Sequence, residues 1–432
     1  MTNSDRTLVP KSILCLEVRR IETLWKAWLA VRSKALRSKN RQTSDDAHLI
    51  DQNPLATLRA IQKSLCDGSF EFGLQKAVIQ KRPGKRPRPI VVSPVTNRIV
   101  QRAILETLQN EKQKIQLNLG QLPSMLLTPT SVGGIPKRGA QDAVRQIRSA
   151  IDAGASYFIR SDIKSFYTKV PVKKLMKTIQ KNTGDQEFSS LISSGISVEF
   201  ENADDPLVKE WIDLFPNGEL GVPQGSSLST FCANVILYEF DLTMNKGGIV
   251  TIRYIDDFVV LGPSKKAVER AFKNGLRILS KLGLEAYEPK QNDPKASFGE
   301  VKSGFDFLSF RFKGSNVGLS RAIKTRLKND LVETIRQAKA SIQKSLAVER
   351  RAEMRFAQSL VTIDRKIRGW GDAFREIDRR VEFNQLDKQI DELIADFFKW
   401  YYDRIRHSPP NHKRRALGVA LLADTPPRSK QN

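Results

Sequence analysis

Cysteine and histidine are scarce in this 432-residue chain, which has only Cys15, Cys66 and Cys232 and only His48, His407 and His412. The cysteines are odd in number and far apart, so they offer no disulfide framework. Neither residue type shows the close pairing of a zinc finger or a histidine-metal nuclease. The thiols read as packed side chains in a reducing cytoplasm. Long apolar runs are also missing: nothing approaches the roughly 20 residues of a membrane span. Asp5, Arg6 and Lys11 interrupt the N-terminus where a signal peptide would be apolar. A cytoplasmic protein without a membrane partner is expected. No internal repeat or low-complexity block is present. What the chain has in excess is positive charge, with 72 Lys and Arg against 47 Asp and Glu, a formal net charge of +25. That balance points to a polyanion, nucleic acid first, but structural RNA binders share it and it says nothing about catalysis. With 40% hydrophobic residues the chain can build two or three packed units.

From Ser12 to Ser38, Leu14, Leu16, Ile21, Leu24, Trp25, Trp28 and Leu29 recur at helical spacing among arginines and lysines, which predicts an amphipathic basic helix or a pair of them. The polar stretch Asn40 to Asn53 reads as a separator before a second helical segment, Pro54 to Asp67. Lys81 to Pro89 is a basic, turn-rich segment leading into the β-forming run Ile90-Val91-Val92, an arrangement suited to phosphate contact. Asn97 to Leu108 carries Val100, Ile104 and Leu108 on one helical stripe. Beyond Arg321 the chain becomes helical and basic, through Arg350 and Arg351, to the aromatic patch Phe397 to Tyr402. Cationic helices with interleaved aromatics can track a phosphate backbone and stack bases. The tail from Asp424 reads as unstructured.

The sharpest chemical signal is Arg253-Tyr254-Ile255-Asp256-Asp257-Phe258-Val259-Val260-Leu261, two adjacent carboxylates between β-forming residues. Neighbouring side chains of a regular strand face opposite ways, so both aspartates share one side only at a tight hairpin turn. Carboxylates beside a hydrophobic run call for a cation, and hard oxygen ligands suit Mg²⁺ or Mn²⁺. Asp162 ends a second β-like run, Tyr157 to Ser161, and two such strands side by side would set Asp162 against Asp256. That grouping supports two ions about 3.5–4 Å apart and in-line phosphoryl transfer. Between the two runs lies Gly221-Val222-Pro223-Gln224-Gly225-Ser226-Ser227-Leu228-Ser229, a flexible turn in which Ser226, Ser227 or Ser229 caps the following helix.

These elements in this order resemble the reverse transcriptases, specifically their bacterial group II intron-like branch, over roughly Lys81 to Phe312. The resemblance implies an α+β right-hand polymerase fold of fingers, palm with a small antiparallel sheet, and helical thumb. It also implies boundaries: a basic helical N-terminal extension over 1–53, fingers over 54–155, palm over 156–304 with a helical insertion at about 171–219, primer grip and thumb over 305–423, and a tail over 424–432. The implied metal ligands are Asp162, the backbone carbonyl of Ile163, Asp256 and Asp257, holding two Mg²⁺ with Mn²⁺ as substitute. Gln224 and Gly225 would form the platform for nucleotide and template, Arg86 or Arg88 would hold the triphosphate, and Phe307, Leu308, Ser309 and Phe310 would grip the primer. Lys290, which follows Leu282-Gly283-Leu284, would either donate a proton to pyrophosphate or be a surface lysine. Tyr167, five positions after Asp162, matches the family's aromatic gate against a ribose 2′-hydroxyl and so implies dNTP use. Ile367 to Phe374 looks like the thumb or maturase segment of intron-encoded enzymes, with Gly369-Trp370 between helices.

The chain departs from these relatives at Ser131 to Gly139, where intron-encoded enzymes carry a Gly-Phe-Arg type segment, and no Cys/His endonuclease follows the thumb. A stand-alone enzyme similar to the defence-associated or retron reverse transcriptases is therefore expected. It would copy a cognate non-coding RNA into DNA as an RNA-directed DNA polymerase, a nucleotidyltransferase in anti-phage defence. The alternatives are an RNA-binding maturase or chaperone, and an untemplated or protein-primed DNA polymerase.

Overall fold

The computed structural model describes residues 12–82, 84–109, 119–291, 293–347, 355–378 and 380–424. The expectations for Asp5, Arg6 and Lys11, for Arg350 and Arg351, and for the tail after Asp424 lie outside them. The chain divides into two compact units, Met1–Gln146 with Gly154–Phe298, and Ile147–Ala153 with Gly299–Asn432.

In the first unit the N-terminal region folds as α1 (Ile13–Val18), α2 (Ile21–Leu36), α3 (Arg41–Gln52) and α4 (Pro54–Asp67). Side-chain caps start three of them: Ser12 Oγ accepts from the Cys15 amide, Asn40 from Thr43, and Asn53 from Ala56 just before Pro54. The segment expected as a polar separator is thus a helix, because Thr43, Ala47 and Ile50 fall on one buried face of α3. On α2 the buried stripe is Leu24, Ala27, Trp28 and Ala35, while Trp25 and Leu29 from the expected stripe, and Leu16 of α1, are exposed. These helices share one apolar core with residues as distant as Phe258 and Leu284. Each fully buried Leu or Trp in that core contributes about 1.5–3 kcal/mol.

A ribbon of β1 (Lys76–Arg82) and β2 (Lys85–Val92) turns at Gly84, whose φ of +66° explains the glycine. Next come α5 (Val95–Gln109), α6 (Leu122–Leu126) and α7 (Ala140–Asp152), the last of which passes into the second unit. Helix α5 is buried along most of its length; Asn97 and Gln101 satisfy their amides on the Gly73 and Gly195 carbonyls at 2.9 and 2.8 Å.

The central sheet takes its strands from β3 (Tyr157–Asp162), β4 (Val250–Tyr254), β5 (Asp257–Gly262) and β6 (Ser297–Glu300), in the order β4–β5–β3–β6. Between β3 and β4 run α8 (Phe166–Lys169), α9 (Val172–Thr183), α10 (Gln186–Ile196), α11 (Pro206–Glu210), α12 (Ser227–Ile236) and α13 (Tyr238–Thr243), and α14 (Lys265–Lys281) follows β5. Phe258 on β5 meets Phe240 of α13 edge-on at 5.3 Å and stacks on Phe272 of α14 at 6.1 Å, which ties the helices to the sheet. The strand containing Ile252 does not lie beside β3 as expected. Strand β5 comes between them, because β4 and β5 form a two-residue hairpin and only β5 reaches β3.

The second unit holds a three-stranded sheet, β7 (Phe305–Phe307), β8 (Phe310–Lys313) and β9 (Asn316–Leu319), and the helices α15 (Arg321–Ala347), α16 (Phe356–Ala373), α17 (Arg380–Ile405) and α18 (Pro410–Leu417). The outer edge of β9 is bonded to side chains: Asp378 accepts from the Val317 amide at 2.8 Å and Glu382 from the Leu319 amide at 3.1 Å. Arg148 holds Asp378 in turn at 2.9 Å. Gly369 and Trp370 lie within the last turns of α16 rather than between helices, and Trp370 packs on Phe374 and Phe383. In the aromatic patch of α17, Phe397 and Tyr401 are buried against Phe356, which leaves Phe398 and Tyr402 exposed. Among the described residues no helix is long and apolar enough to cross a membrane.

Candidate active site

The register of β3 on β5 pairs Asp162 with Asp257, and Tyr254 pairs with Asp257 across the hairpin, so Ile255 and Asp256 form its two-residue turn. The cross-strand partner of Asp162 is therefore Asp257, not Asp256 as the sequence suggested. Asp256 joins them from the turn, where its backbone carbonyl accepts the Ile163 amide at 3.1 Å. Ile255 adopts φ +62°, a left-handed conformation that costs a β-branched residue roughly 1–2 kcal/mol.

Burial beside neighbouring carboxylates raises the affinity of Asp256 and Asp257 for protons. Burial, then the Asp162 charge, pushes Asp256 up to about 6. Burial, then Asp162 and Asp256, pushes Asp257 up to about 7. Lys295 supplies opposing charge, its Nζ standing 3.3 Å from Asp162 Oδ2 and 5.2 Å above the Tyr287 ring. Among the described residues no three acidic, histidine or cysteine side chains close around a point that would hold an ion by themselves. An all-oxygen set with excess negative charge still fits a hard divalent cation, particularly one that keeps water or phosphate oxygens among its ligands. The residues that would hold it are Asp162, Asp256, Asp257 and the Ile163 carbonyl.

Around the carboxylates the expected residues sort themselves. Burial, then the Asp256 charge, pushes the Tyr167 phenol up to about 12, so it stays neutral. Arg88 lies close enough to Asp256 and Tyr167 to act on both electrostatically. Arg86 instead pairs with Asp213 at 3.3 Å and sits over Trp211 at 5.8 Å. Gln224 accepts the Val91 amide through its carbonyl at 2.9 Å, and a Cβ on Gly225 (φ +118°) would stand 2.8 Å from the Val91 carbonyl, so the Pro-Gln-Gly loop is pressed onto β2. Of the three candidate serines, Ser226 caps α12 through the Leu228 amide. Lys290 is exposed, and it is Lys295 that reaches the carboxylates. In the second unit Phe307 and Phe310 are buried and close the β7–β8 hairpin, whose turn presents Leu308 and Ser309.

Several residues at the site escaped the sequence reading. Lys295 and Tyr287 carry no motif. The segment at Ser131 runs beside β4: the Val132 amide donates to the Arg253 carbonyl at 2.9 Å and the Arg253 amide to the Thr130 carbonyl at 2.9 Å. A Cβ on Gly133 would stand 2.6 Å from the Ile255 nitrogen, so this unusual segment buttresses the acidic turn. The available signal was Arg253, a charged residue within a strand that otherwise reads as core.

A small antiparallel sheet that presents three carboxylates at one edge, with helices packed against it, is the palm of a nucleic-acid polymerase. The family model described as "Reverse transcriptase (RNA-dependent DNA polymerase)" matches residues 79–312, more than half of the chain, and the protein belongs to that family. Protein YkfC of Escherichia coli (strain K12) is 24% identical over 343 residues, covering 69% of this chain and 84% of that protein. The group II intron-encoded protein LtrA of Lactococcus lactis subsp. cremoris is 24% identical over 185 residues, covering 43% of this chain and only 27% of LtrA. Among solved structures, telomerase from Candida albicans aligns over 76% of this chain and 59% of its own, with 13% identity and a TM-score of 0.40, a likeness too loose to argue from.

Proposed function

We propose that this reverse transcriptase copies an associated RNA into DNA from dNTPs, using Asp162, Asp256 and Asp257 as ligands for two Mg²⁺ ions, with Mn²⁺ as a substitute. The observation that carries the reading is the meeting of Asp162 and Asp257 across β3–β5 with Asp256 in the adjoining turn. The ions would supply the acidity that activates the primer hydroxyl and the charge that stabilises the leaving oxygen. The chain's own residues orient the reactants. Tyr167, half-buried beside Asp256, would be the gate against a ribose 2′-hydroxyl. Arg88 rather than Arg86 is free to take the triphosphate, since Arg86 is engaged by Asp213. Lys295 competes with Lys290 for protonating pyrophosphate, and its contact with Asp162 favours it. Gln224 and Gly225 support the templating base, and half-buried Leu308 with exposed Ser309 is the accessible part of the primer grip.

The narrower reading is a cytoplasmic enzyme that works on a dedicated non-coding RNA in anti-phage defence, with the +25 charge available for RNA contact. Within this reading the expected fingers, palm and thumb boundaries apply. The test is to sequence nucleic acid that co-purifies with wild type and with Asp256→Asn, each expressed with its native flanking DNA. DNA complementary to one small RNA in the wild type alone supports the reading. Equal RNA in both and no DNA favours a maturase-like binder, and DNA made without any RNA favours untemplated synthesis.

A further inference from the structure

Arg253 is completely buried on β4, among the largest fully buried side chains described, and its partner Asp241 on α13 is 3% exposed. Its Nε and Nη2 donate to the two Asp241 oxygens at 2.7 and 2.5 Å. Nη2 also donates to Ser131 Oγ at 2.9 Å and to Asn234 Oδ1 at 3.1 Å, while Asn234 Nδ2 donates to the Gly133 carbonyl at 3.2 Å. The remaining contact leaves this group: Nη1 donates to the backbone carbonyl of Ile255 at 2.8 Å. Ile255 is the left-handed residue directly before Asp256, and Gly133 closes on its amide from the other side.

A buried ion pair is poorly explained by stability alone. Desolvation offsets most of its attraction, and a matched apolar pair of similar volume holds a fold as well or better. An apolar pair cannot hold a carbonyl. We infer that Arg253 is a positioning residue for DNA synthesis: by holding the Ile255 carbonyl it fixes the strained turn that presents Asp256 beside Asp162 and Asp257. This inference rests on the polymerase reading above. Asp241, Ser131 and Asn234 keep the guanidinium aimed, and the Ser131 to Gly134 segment has its place in this chain because it completes that network. Without the Ile255 contact the turn is free to relax toward ordinary backbone angles, which displaces Asp256 while leaving the sheet intact.

The deciding variant is the double replacement Arg253→Met/Asp241→Leu, which removes both charges and keeps the volume. It should melt near the wild-type temperature. Its kcat for primer extension should fall about 10- to 100-fold, the effect of roughly an ångström of misplacement at a reacting centre, with KM for dNTP little changed. Mn²⁺ binding to the protein without nucleic acid, followed by electron paramagnetic resonance, should weaken severalfold. Arg253→Lys keeps the charge facing Asp241, but one ammonium cannot serve both the carboxylate and the turn, so it should show the same two losses. It decides the matter if the double variant does not melt cooperatively. Wild-type kcat and Mn²⁺ affinity in a folded variant would overturn the inference and leave Arg253 a packing residue. If the wild type itself fails to extend any primer, the polymerase reading falls, and the Mn²⁺ titration still judges Arg253.

Discussion

Two tight hairpins in this protein are built on non-glycine residues with positive φ, and they are held by different balances of contacts. The β4–β5 turn carries Ile255 at φ +62°, and the β7–β8 turn carries Leu308 at +47° and Ser309 at +72°. The second rests mainly on apolar packing, with one backbone bond from the Ser320 amide to the Ser309 carbonyl at 3.0 Å: Phe305, Phe307, Phe310 and Phe312 are all buried, and Phe305 stacks on Phe312 at 5.1 Å. The first is held by a hydrogen bond that Arg253 donates to the Ile255 carbonyl and by the close approach of Gly133. Hydrophobic contact is non-directional and tolerates small shifts. A guanidinium on a carbonyl fixes one atom in place, which is what a turn that presents a carboxylate at a defined position requires.

Breaking the comparison at its chemical end gives the largest effect. Asp256→Asn should lower primer extension by on the order of a thousandfold or more, the several kcal/mol that charge stabilisation at such a site supplies, while filter binding shows RNA affinity retained. Phe312→Ala attacks the apolar floor instead and should cost about 3–5 kcal/mol in urea unfolding of the second unit. Gly133→Ala puts a methyl 2.6 Å from the Ile255 nitrogen. It should reduce kcat about tenfold through displacement of the turn, with a melting temperature close to wild type. Equal losses in melting and turnover would show that the segment is merely packing.

Smaller effects sharpen the contrast. Asparagine tolerates left-handed angles, so Leu308→Asn and Ile255→Asn should each relieve up to about 1 kcal/mol of strain in thermal melts. Only the Ile255 variant should weaken Mn²⁺ binding. A last expected effect is one of pH. Asp257 sits at about 7 when folded against roughly 3.9 when unfolded, so its ionisation costs stability. That cost is absent below about pH 4, grows between about pH 4 and 7, and is complete above. In metal-free buffer Asp257→Asn should therefore melt above wild type at pH 8, and the gap should close as the pH falls to 4 to 5. A divalent cation should close it at pH 8 by raising the wild type alone.

The acidic hairpin and the run ending at Asp162 were legible because carboxylates between β-forming residues conflict with local propensity, and a functional site is where such conflicts occur. The order of the strands was not legible: periodicity identifies a strand but not its neighbour, so β5 as the link between β3 and β4 had to come from the structure. The helical nature of α3 was hidden by its polar exposed face, although Thr43, Ala47 and Ile50 held the correct spacing. The roles of Arg86 and Arg88 diverge only through long-range contacts, with Asp213 in one case and Asp256 in the other. Lys295 was overlooked because a lysine in a loop has no sequence signature until folding brings it to Asp162.

The carboxylates along β9 have a consequence for how this molecule behaves in a crowd. A sheet edge normally offers unpaired amides to any extended chain that drifts past, and this is how native proteins template fibrils and swapped dimers. Here Asp378 and Glu382 already occupy the outward amides of Val317 and Leu319, and the Asp378 amide occupies the Val317 carbonyl at 2.9 Å. A visiting strand would have to expel two charged groups before it formed its first bond. The short sheet is in effect insulated, so that edge offers no ready seed for aggregation even when many copies lie close together.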